Sequence, residues 1–311
     1  MIFLAILPCL PILAIATPVI YDGRAPLSLT DASLDTSTGP YLTAVKGSTQ
    51  NASHYSSLLG DSVPPTPLWN KYSSPIEQSI SITIDNSSVF VPGGAAPQFG
   101  FRRTEFIAQA NGSSAALDAI MEAGTTVFHV SIQVDETRPL NLDHEYQIVF
   151  IEPDDGTHVF EIQIGSPFTN PTGSLPAQNA HSFKVLDHAL NVLFIAPCSP
   201  AKWHNFAIQV DWNNRTLAVL YSEDDAQLAA VTKVLPNLTA SLGATGQGDF
   251  HFGVLKLPLV NPADSSANQA DVAHFGIQEG TTEGLLYSGI FVEQVTEGVS
   301  VGNGHTIPQI Q

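Results

Sequence analysis

The chain has 311 residues, with 29 Asp and Glu against 11 Lys and Arg, and a formal net charge of −18. Nucleic-acid binding requires a basic surface patch, and the sequence contains no basic cluster, so we expect no nucleic-acid partner. This charge would repel an acidic polymer but not a neutral one.

The N-terminal 16 residues predict a secretory signal. Residues 1–16 read MIFLAILPCLPILAIA, an apolar run that ends in the small-residue pattern of a cleavage site at Ala14-Ile15-Ala16. The run is short and contains two prolines, which makes it a poor membrane span. Cleavage would start the mature chain at Thr17 and leave Cys198 without an intrachain partner. We therefore expect a secreted, monomeric protein with a single domain over residues 17–311 and no attachment to a membrane.

Five N-x-Ser/Thr triplets fit an extracellular chain with exposed loops. They begin at Asn51, Asn86, Asn111, Asn214 and Asn237. Triplets of this kind also arise by chance, so their number supports secretion without proving glycosylation.

Strand-like segments dominate the remaining chain, and turn residues separate them. They are SISITID (79–85), VFHVSIQV (127–134), YQIVFIE (146–152), HVFEIQI (158–164), NFAIQVDW (205–212), TLAVLYS (216–222), FHFGVLKL (250–257) and LLYSGIFVE (285–293). The pattern predicts an all-β antiparallel sandwich. Helical periodicity is visible in ALDAIMEA (116–123), and residues 176–197 are compatible with a loop or a short helix.

Five short segments, here called islands, place charged residues or histidines within this strand-like sequence, although only 13% of the chain is charged. The islands are GFRRTEF (100–106), RPLNLDHEYQ (138–147), KWHNFAIQVDW (202–212), DFHFGVLKLP (249–258) and GIQEGTTEGLLYSGIF (276–291). A cleft that cleaves polysaccharides needs half-buried carboxylates of this kind on its strands.

The first island places Arg103 and Glu105 on one face if it is a strand. An arginine so close would keep the carboxylate ionised, which suits a nucleophile, a general base or a sugar-binding group. The alternative is an ordinary ion pair on the sheet surface, and spacing alone favours it.

The second island contributes Glu145, with Gln147 on its face and Tyr146, Ile148 and Phe150 on the opposite face. The amide of Gln147 could hydrogen-bond a sugar hydroxyl. The alternative is that these are polar residues at the start of a strand with no functional role, and it explains the pattern equally well. However, two carboxylates from separate strands are the minimum set for acid/base glycoside hydrolysis.

Histidines on three strand-like segments are further candidates. His204 follows Trp203, and the two rings could stack a sugar and tune a nearby carboxylate, although a structural histidine at a strand start is the alternative. His251 points away from its two phenylalanine neighbours, as a cleft residue would. His129 and Gln133 share a polar strand face that either faces solvent or lines a groove.

The fifth island begins as a glycine-rich loop and continues as a strand. Its Glu279 and Glu283 could bind substrate, because loops at sheet ends often do, or could be solvated carboxylates. Tyr287 and Trp69 could be stacking platforms for sugars, although such residues more often pack in the core.

The order of the five islands resembles the fungal glycoside hydrolase family 131. The resemblance runs from YDGR (21–24) through PLWN (67–70) to LLYSGIFVE (285–293). It implies a β-jelly-roll with a concave cleft and a β-glucanase activity on plant or fungal wall glucans. It also implies that Glu105 and Glu145 are the catalytic carboxylates.

With this resemblance, we predict that Glu105 is the ionised partner, that Glu145 is the acid and that His204 assists them in one cleft. Replacement of either glutamate by Gln should then abolish most hydrolysis with folding nearly intact. The predicted substrate-binding residues are Arg103, His129, Gln133, Gln147, Trp203, His251, Glu279, Glu283 and Tyr287.

Other chemistries have little support in the sequence. No phosphate-binding loop, metal-ligand spacing or nucleophile elbow is present, so we expect no cofactor and no metal. A polysaccharide lyase on a similar sandwich is one alternative, but it would need cations to neutralise a uronate. A lectin-like glucan-binding protein is the other, and it would not need the two glutamates. Release of reducing ends from a neutral glucan separates these classes.

Overall fold

The structure is a computed structural model that describes residues 17–70, 75–168, 173–296 and 298–311. Residues 1–16, the predicted signal peptide, therefore lie outside the described residues. None of the described helices is long and apolar enough to cross a membrane.

The described strands are numbered in chain order. The first nine are β1 (Val19–Asp22), β2 (Tyr41–Val45), β3 (Ser56–Leu58), β4 (Ile80–Ile84), β5 (Arg102–Ala108), β6 (Thr125–Val134), β7 (Glu145–Pro153), β8 (Phe160–Gly165) and β9 (Ser182–Asp187). The others are β10 (Val192–Pro197), β11 (His204–Asp211), β12 (Thr216–Glu223), β13 (Ala229–Ala230), β14 (Leu235–Pro236), β15 (Gly248–Lys256), β16 (Glu283–Gln294), β17 (Val299–Gly302) and β18 (His305–Ile307).

The described helices are short. They are α1 (Asp31–Asp35), α2 (Ala52–Tyr55), α3 (Ala115–Met121) and α4 (Ser266–Ala270), with 3₁₀ turns at Gly60–Ser62 and Gly243–Gly246. Helix α3 coincides with the segment that showed helical periodicity. Residues 176–197, by contrast, contain the paired strands β9 and β10 rather than a helix.

Two antiparallel sheets form the sandwich, which confirms the predicted all-β class. The nine-stranded sheet has the order β13-β12-β11-β6-β16-β4-β3, with β1 beside β16 and β14 beside β12. The seven-stranded sheet has the order β10-β9-β8-β7-β15-β5-β2, and β17 and β18 form a separate hairpin. In the middle of each sheet, neighbouring strands such as β6 and β16, or β7 and β15, are distant in sequence, as in a jelly roll.

The core lies between the two sheets. On β6, Phe128, Val130 and Ile132 are buried as their period-two spacing predicts. The Phe128 ring packs edge-on against Phe250 of β15, with ring centroids 5.0 Å apart. Because β6 belongs to one sheet and β15 to the other, this contact joins the two layers.

The outer face of the nine-stranded sheet is covered by other parts of the chain. Asn205 of β11 accepts hydrogen bonds from Ser131 at 2.6 Å and from Thr66, in the segment before β4, at 2.8 Å. His129 is fully buried and hydrogen-bonded to Glu293 at 3.0 Å. At His129 and Ser131 the polar face of β6 is therefore a buried hydrogen-bonded layer rather than the lining of a groove.

A β-bulge in β7 changes which residues face outward. The pairing of β7 with β8 shifts register between Gln147 and Val149, so Ile148 and Val149 both enter the core. After this irregularity the alternation is reversed. Phe150 and Glu152 consequently share the outer face with Glu145 and Gln147, whereas strict alternation assigned Phe150 to the opposite face.

Candidate active site

The outer face of the seven-stranded sheet, here called the polar sheet face, carries many buried or half-buried polar side chains. They come from five adjacent strands, β5, β15, β7, β8 and β9. The set comprises Arg103, Glu105, His251, Glu145, Gln147, Glu152, Glu161, Gln163 and Lys184. Regular strand pairing thus brings together residues that are far apart in the sequence.

One end of the polar sheet face is organised around Glu105. Arg103 Nε and Nη2 each donate a 2.7 Å hydrogen bond to the Glu105 carboxylate. His251 Nδ1 lies 2.8 Å from Oε2 of the same carboxylate. Glu105 is completely buried, and its backbone pairs with Gly253. A Cβ at that glycine would lie 2.3 Å from the Thr104 carbonyl oxygen, so the close approach of β15 to β5 requires a glycine there.

These contacts keep Glu105 ionised. Burial alone would raise the pKa of its carboxyl, but the charge of Arg103 and the hydrogen bonds from His251 and Arg103 outweigh burial. The pKa of Glu105 falls to about 2. Glu105 is therefore a carboxylate at any pH well above 2.

Glu145 occupies a different environment on the same face. Its carboxyl accepts hydrogen bonds from Gln147 Nε2 at 2.8 Å, Gln163 Nε2 at 3.2 Å and the Phe168 backbone N–H at 2.7 Å. Burial raises the pKa of Glu145, and the nearby Glu161 carboxylate raises it further. The two glutamates thus have pKa values shifted in opposite directions, which is the arrangement that separates an acid from an ionised partner.

Glu145 also lines a cavity of about 160 Å³. The cavity walls include His144, Phe168, Pro258 and Ile277. An apolar wall beside a carboxyl favours its neutral form. The cavity therefore gives a ligand access to the Glu145 carboxyl.

A stack of rings joins the two ends of the polar sheet face. Phe150 lies between His158 and His251, with ring centroids 4.2 Å and 4.8 Å away and nearly parallel planes. Glu152 lies beyond His251, 3.7 Å from its Nε2 and 3.8 Å from Arg103 Nη2. Its side chain is 30% exposed. Glu152 therefore lies between solvent and the buried Glu105–His251 pair.

Five of the predicted site residues are therefore brought together on the polar sheet face. They are Arg103, Glu105, Glu145, Gln147 and His251. The expectation that His204 shares their cleft is wrong. His204 is on β11 in the other sheet, its ring packs on Phe183 in the interior, and its Nδ1 lies 2.7 Å from the Tyr221 hydroxyl.

This location predicts a structural effect for His204→Ala. The side chain is fully buried, so its removal should cost on the order of 3 kcal/mol of stability. We expect a lower melting temperature and a turnover close to that of the wild type, measured on folded protein. A loss of about 100-fold in turnover with an unchanged melt would indicate a chemical role instead.

Other predicted substrate-binding residues also lie away from the polar sheet face. Trp203 is buried ahead of β11, and Tyr287 is buried between the sheets with its hydroxyl bonded to the Gly253 carbonyl. His129 and Gln133 belong to the outer face of the nine-stranded sheet, where His129 lies against Trp69. Their placement argues against direct contact with a substrate bound at Glu145.

Glu279 and Glu283 join an ion cluster at one end of the sandwich. Lys256 Nζ lies 2.6 Å from Glu279 and 2.8 Å from Glu283, and the Tyr146 hydroxyl donates to Glu283. Glu279 also pairs with His144 at 2.9 Å. Glu283 begins β16 and is buried, so it is a partner of Lys256 rather than a solvated loop carboxylate.

Several members of the polar sheet face were not among the predicted site residues. Glu161 and Gln163 alternate with the buried Phe160 and Ile162, so the period-two pattern of residues 158–164 already placed them on a polar face. The sequence pattern did not indicate Glu152. Strict alternation along β7 would place it on the face opposite to Glu145, and only the β-bulge brings it to the same face. Among the described residues, no group of three or more His, Cys, Asp or Glu side chains is arranged to hold a metal ion.

The chain is similar to known proteins over most of its length. The family model described as the glycoside hydrolase 131 catalytic N-terminal domain matches residues 19–298. A GH131 β-glucanase catalytic domain from Podospora anserina is 21% identical, with a TM-score of 0.66 over 93% of this chain and 100% of that chain. The catalytic domain of a glycoside hydrolase family 131 protein from Coprinopsis cinerea is 21% identical, with a TM-score of 0.64 over 92% and 98%. No curated protein matches.

Proposed function

Because the chain belongs to glycoside hydrolase family 131 and is a glycoside hydrolase, we propose that it cleaves β-linked glucans of plant or fungal cell walls on the polar sheet face. The observation that carries this proposal is the pair of glutamates, Glu105 and Glu145, with pKa values shifted in opposite directions on one sheet face. The β-glucanase activity named for the Podospora relative supports the substrate class.

Glu145 is the general acid in this proposal. A general acid must hold a proton at the working pH and reach the glycosidic oxygen. Burial and the charge of Glu161 favour the protonated form of Glu145, and its carboxyl lines the cavity beside Phe168. Gln147 fixes the orientation of the carboxyl through its 2.8 Å hydrogen bond.

Glu105 is the ionised partner and acts through His251. Both oxygens of Glu105 are already hydrogen-bonded and the side chain is fully buried, which leaves little access for water. When His251 donates Nδ1–H to Glu105, its Nε2 is free to accept a proton from water. Glu105 then orients the imidazole and stabilises its charged form, as a carboxylate does for a catalytic histidine.

The position of the two strands favours inversion of the anomeric configuration. Strand β15 separates β5 from β7, so the two backbones are about 10 Å apart. An inverting enzyme needs roughly 6.5–9.5 Å between its carboxyl groups to admit a water molecule. Along β15, Glu105 pairs with Gly253, whereas the Glu145 carbonyl accepts from the Leu257 N–H, so the two glutamates are also offset by four positions along the strand. This placement does not fit the roughly 5–5.5 Å between the carboxyl groups of a retaining pair.

The proposal is tested by product analysis on defined soluble glucans with β-1,3, β-1,4 and β-1,6 linkages. We expect reducing ends from at least one of them, and proton NMR of the first products should show the α-anomer. Unsaturated products would favour a lyase, and binding without release would favour a lectin-like protein. β-Anomeric first products would contradict inversion while leaving the hydrolase intact.

We also propose that the protein is secreted. The apolar run that ends at Ala16 and four exposed sequons support secretion. The fifth sequon asparagine, Asn237, is buried and its Nδ2 donates to the Val159 carbonyl, so it does not fit the expected exposed loop. Thr17, the expected first residue of the mature chain, is buried against Glu293, to which its hydroxyl donates. N-terminal sequencing of secreted protein should find Thr17 first, and a sequence that starts at Met1 would contradict cleavage.

A further inference from the structure

Glu145 has a second carboxylate close to it on the polar sheet face. Gln163 Nε2 lies 3.2 Å from Glu145 Oε1 and also donates to Glu161 Oε1. Glu161 Oε2 lies 2.5 Å from His158 Nδ1. One amide thus joins two buried carboxyl groups, of which only Glu161 has a histidine partner.

This geometry makes the two carboxyl groups unequal. Glu145 is 6% exposed and Glu161 is 1% exposed, so two neighbouring negative charges would be costly. The His158 ring can donate Nδ1–H to Glu161, and such a hydrogen bond stabilises negative charge on that carboxylate. The bridging amide offers an N–H to each group, and the remaining partners of Glu145 are uncharged donors, Gln147 and the Phe168 N–H.

We propose that Glu161, paired with His158 and joined to Glu145 through Gln163, is a positioning residue that keeps the catalytic proton on Glu145. Glu161 carries the negative charge of the pair, and Glu145 carries the proton that the glycosidic oxygen receives. This role rests on the proposed function of Glu145 as the acid and adds the group that maintains its protonation.

The other charged groups around Glu161 do not replace this arrangement. On β9, Lys184 donates to the Gly165 carbonyl at 2.7 Å, and burial lowers the pKa of its ammonium to about 8. Its charge favours an ionised Glu145, so it opposes Glu161. On β15, His251 is separated from His158 by the Phe150 ring. On β7, Glu152 lies on the far side of His251.

Glu161→Gln tests the proposal, because it preserves shape and leaves an oxygen to accept from Gln163 while it removes the charge. The alkaline limb of kcat/KM reports the deprotonation of the acid in the free enzyme. We expect this limb to move to lower pH by at least about one unit. Glu161→Asp keeps the charge, so its limb should stay near that of the wild type even if its rate falls.

Glu136→Gln is the matched control, because Glu136 is an exposed carboxylate in the turn after β6. It removes one negative charge without touching the polar sheet face. Its alkaline limb should not move. Equal displacement of the limb in Glu136→Gln and Glu161→Gln would overturn the proposal, because net charge would then explain the effect.

A direct titration separates this proposal from the proposed function. Carbon NMR of protein labelled at the glutamate carboxyls, assigned with Glu145→Gln and Glu161→Asp, follows both groups without substrate. As pH rises, Glu161 should ionise before Glu145, and Glu161→Gln should lower the midpoint of Glu145. The reverse order in the wild type overturns the proposal even if Glu161→Gln does not fold. An unmoved midpoint in folded Glu161→Gln also overturns it, whether or not any glucan is cleaved.

Discussion

Glu145→Gln is expected to lower kcat on a cleaved glucan by roughly 10²–10⁴-fold, the usual contribution of a general acid. The substitution keeps an oxygen for Gln147 and Gln163 but leaves no proton to give to the leaving group. One contact changes, because the Phe168 N–H that donates to Glu145 at 2.7 Å would meet an NH₂ group. Loss of that hydrogen bond costs about 1–3 kcal/mol, so a modest decrease of the melting temperature should accompany the loss of activity.

A substrate with an activated leaving group identifies the step that is lost. Aryl β-glucosides with acidic phenols need little protonation, so Glu145→Gln should cleave them far better than it cleaves a natural glucan. A variant that lost both activities equally, with an intact melt, would contradict the assignment of Glu145 as acid. Wild-type turnover on both substrates would remove Glu145 from the mechanism altogether.

The sequence predicted the sandwich because most strands follow simple alternation. In β6 and β8 the apolar residues that face the core recur at every second position, and the structure confirms both strands. Alternation does not say which sheet a strand joins or what covers its polar face. The polar side of β6, with His129, was therefore taken as open, whereas the segment before β4 and the C-terminal hairpin lie over it.

The site was predictable where chemistry and strand phase agree. Arg103 and Glu105 are two residues apart on one strand, and their ion pair follows from that spacing. His204 was misplaced because a histidine beside a tryptophan and a lysine has the same composition in a cleft and in a core. Only the pairing of β11 with β6 places its ring inside the sandwich. Glu152 was missed because a single bulge reverses the phase of β7.

Glu105→Gln is expected to abolish most hydrolysis and also to destabilise the protein, in contrast to the nearly intact folding that the sequence alone predicted. Arg103 is buried with its Nε and Nη2 on the Glu105 carboxylate. A neutral partner leaves this guanidinium with only the more distant Glu152, 3.8 Å away, as a counter-charge. Breaking a buried ion pair in this way costs about 3–5 kcal/mol. We expect the melting temperature at pH 6 to fall by on the order of 10 °C.

The pH dependence of the melting temperature tests whether the charge of Glu105 is the cause of this stability difference. The pKa of Glu105 lies at about 2, below the ordinary value of 4.5 for a glutamate carboxyl. A lowered carboxyl pKa contributes stability that is present above the unfolded value and is lost as the pH falls through the folded one. The wild type should therefore lose this contribution between pH 4.5 and about 2, and the difference in melting temperature between wild type and Glu105→Gln should shrink over the same interval.

The double variant Arg103→Met/Glu105→Gln separates the structural role of Glu105 from its chemical role. It removes both charges, so no buried ion is left unpaired, and much of the lost stability should return. Turnover should remain as low as in Glu105→Gln, because His251 still lacks the carboxylate that orients it. If the double variant recovered turnover together with stability, Glu105 would serve only to neutralise Arg103, and the ionised partner of Glu145 would have to be sought at Glu152, the exposed carboxylate beside His251.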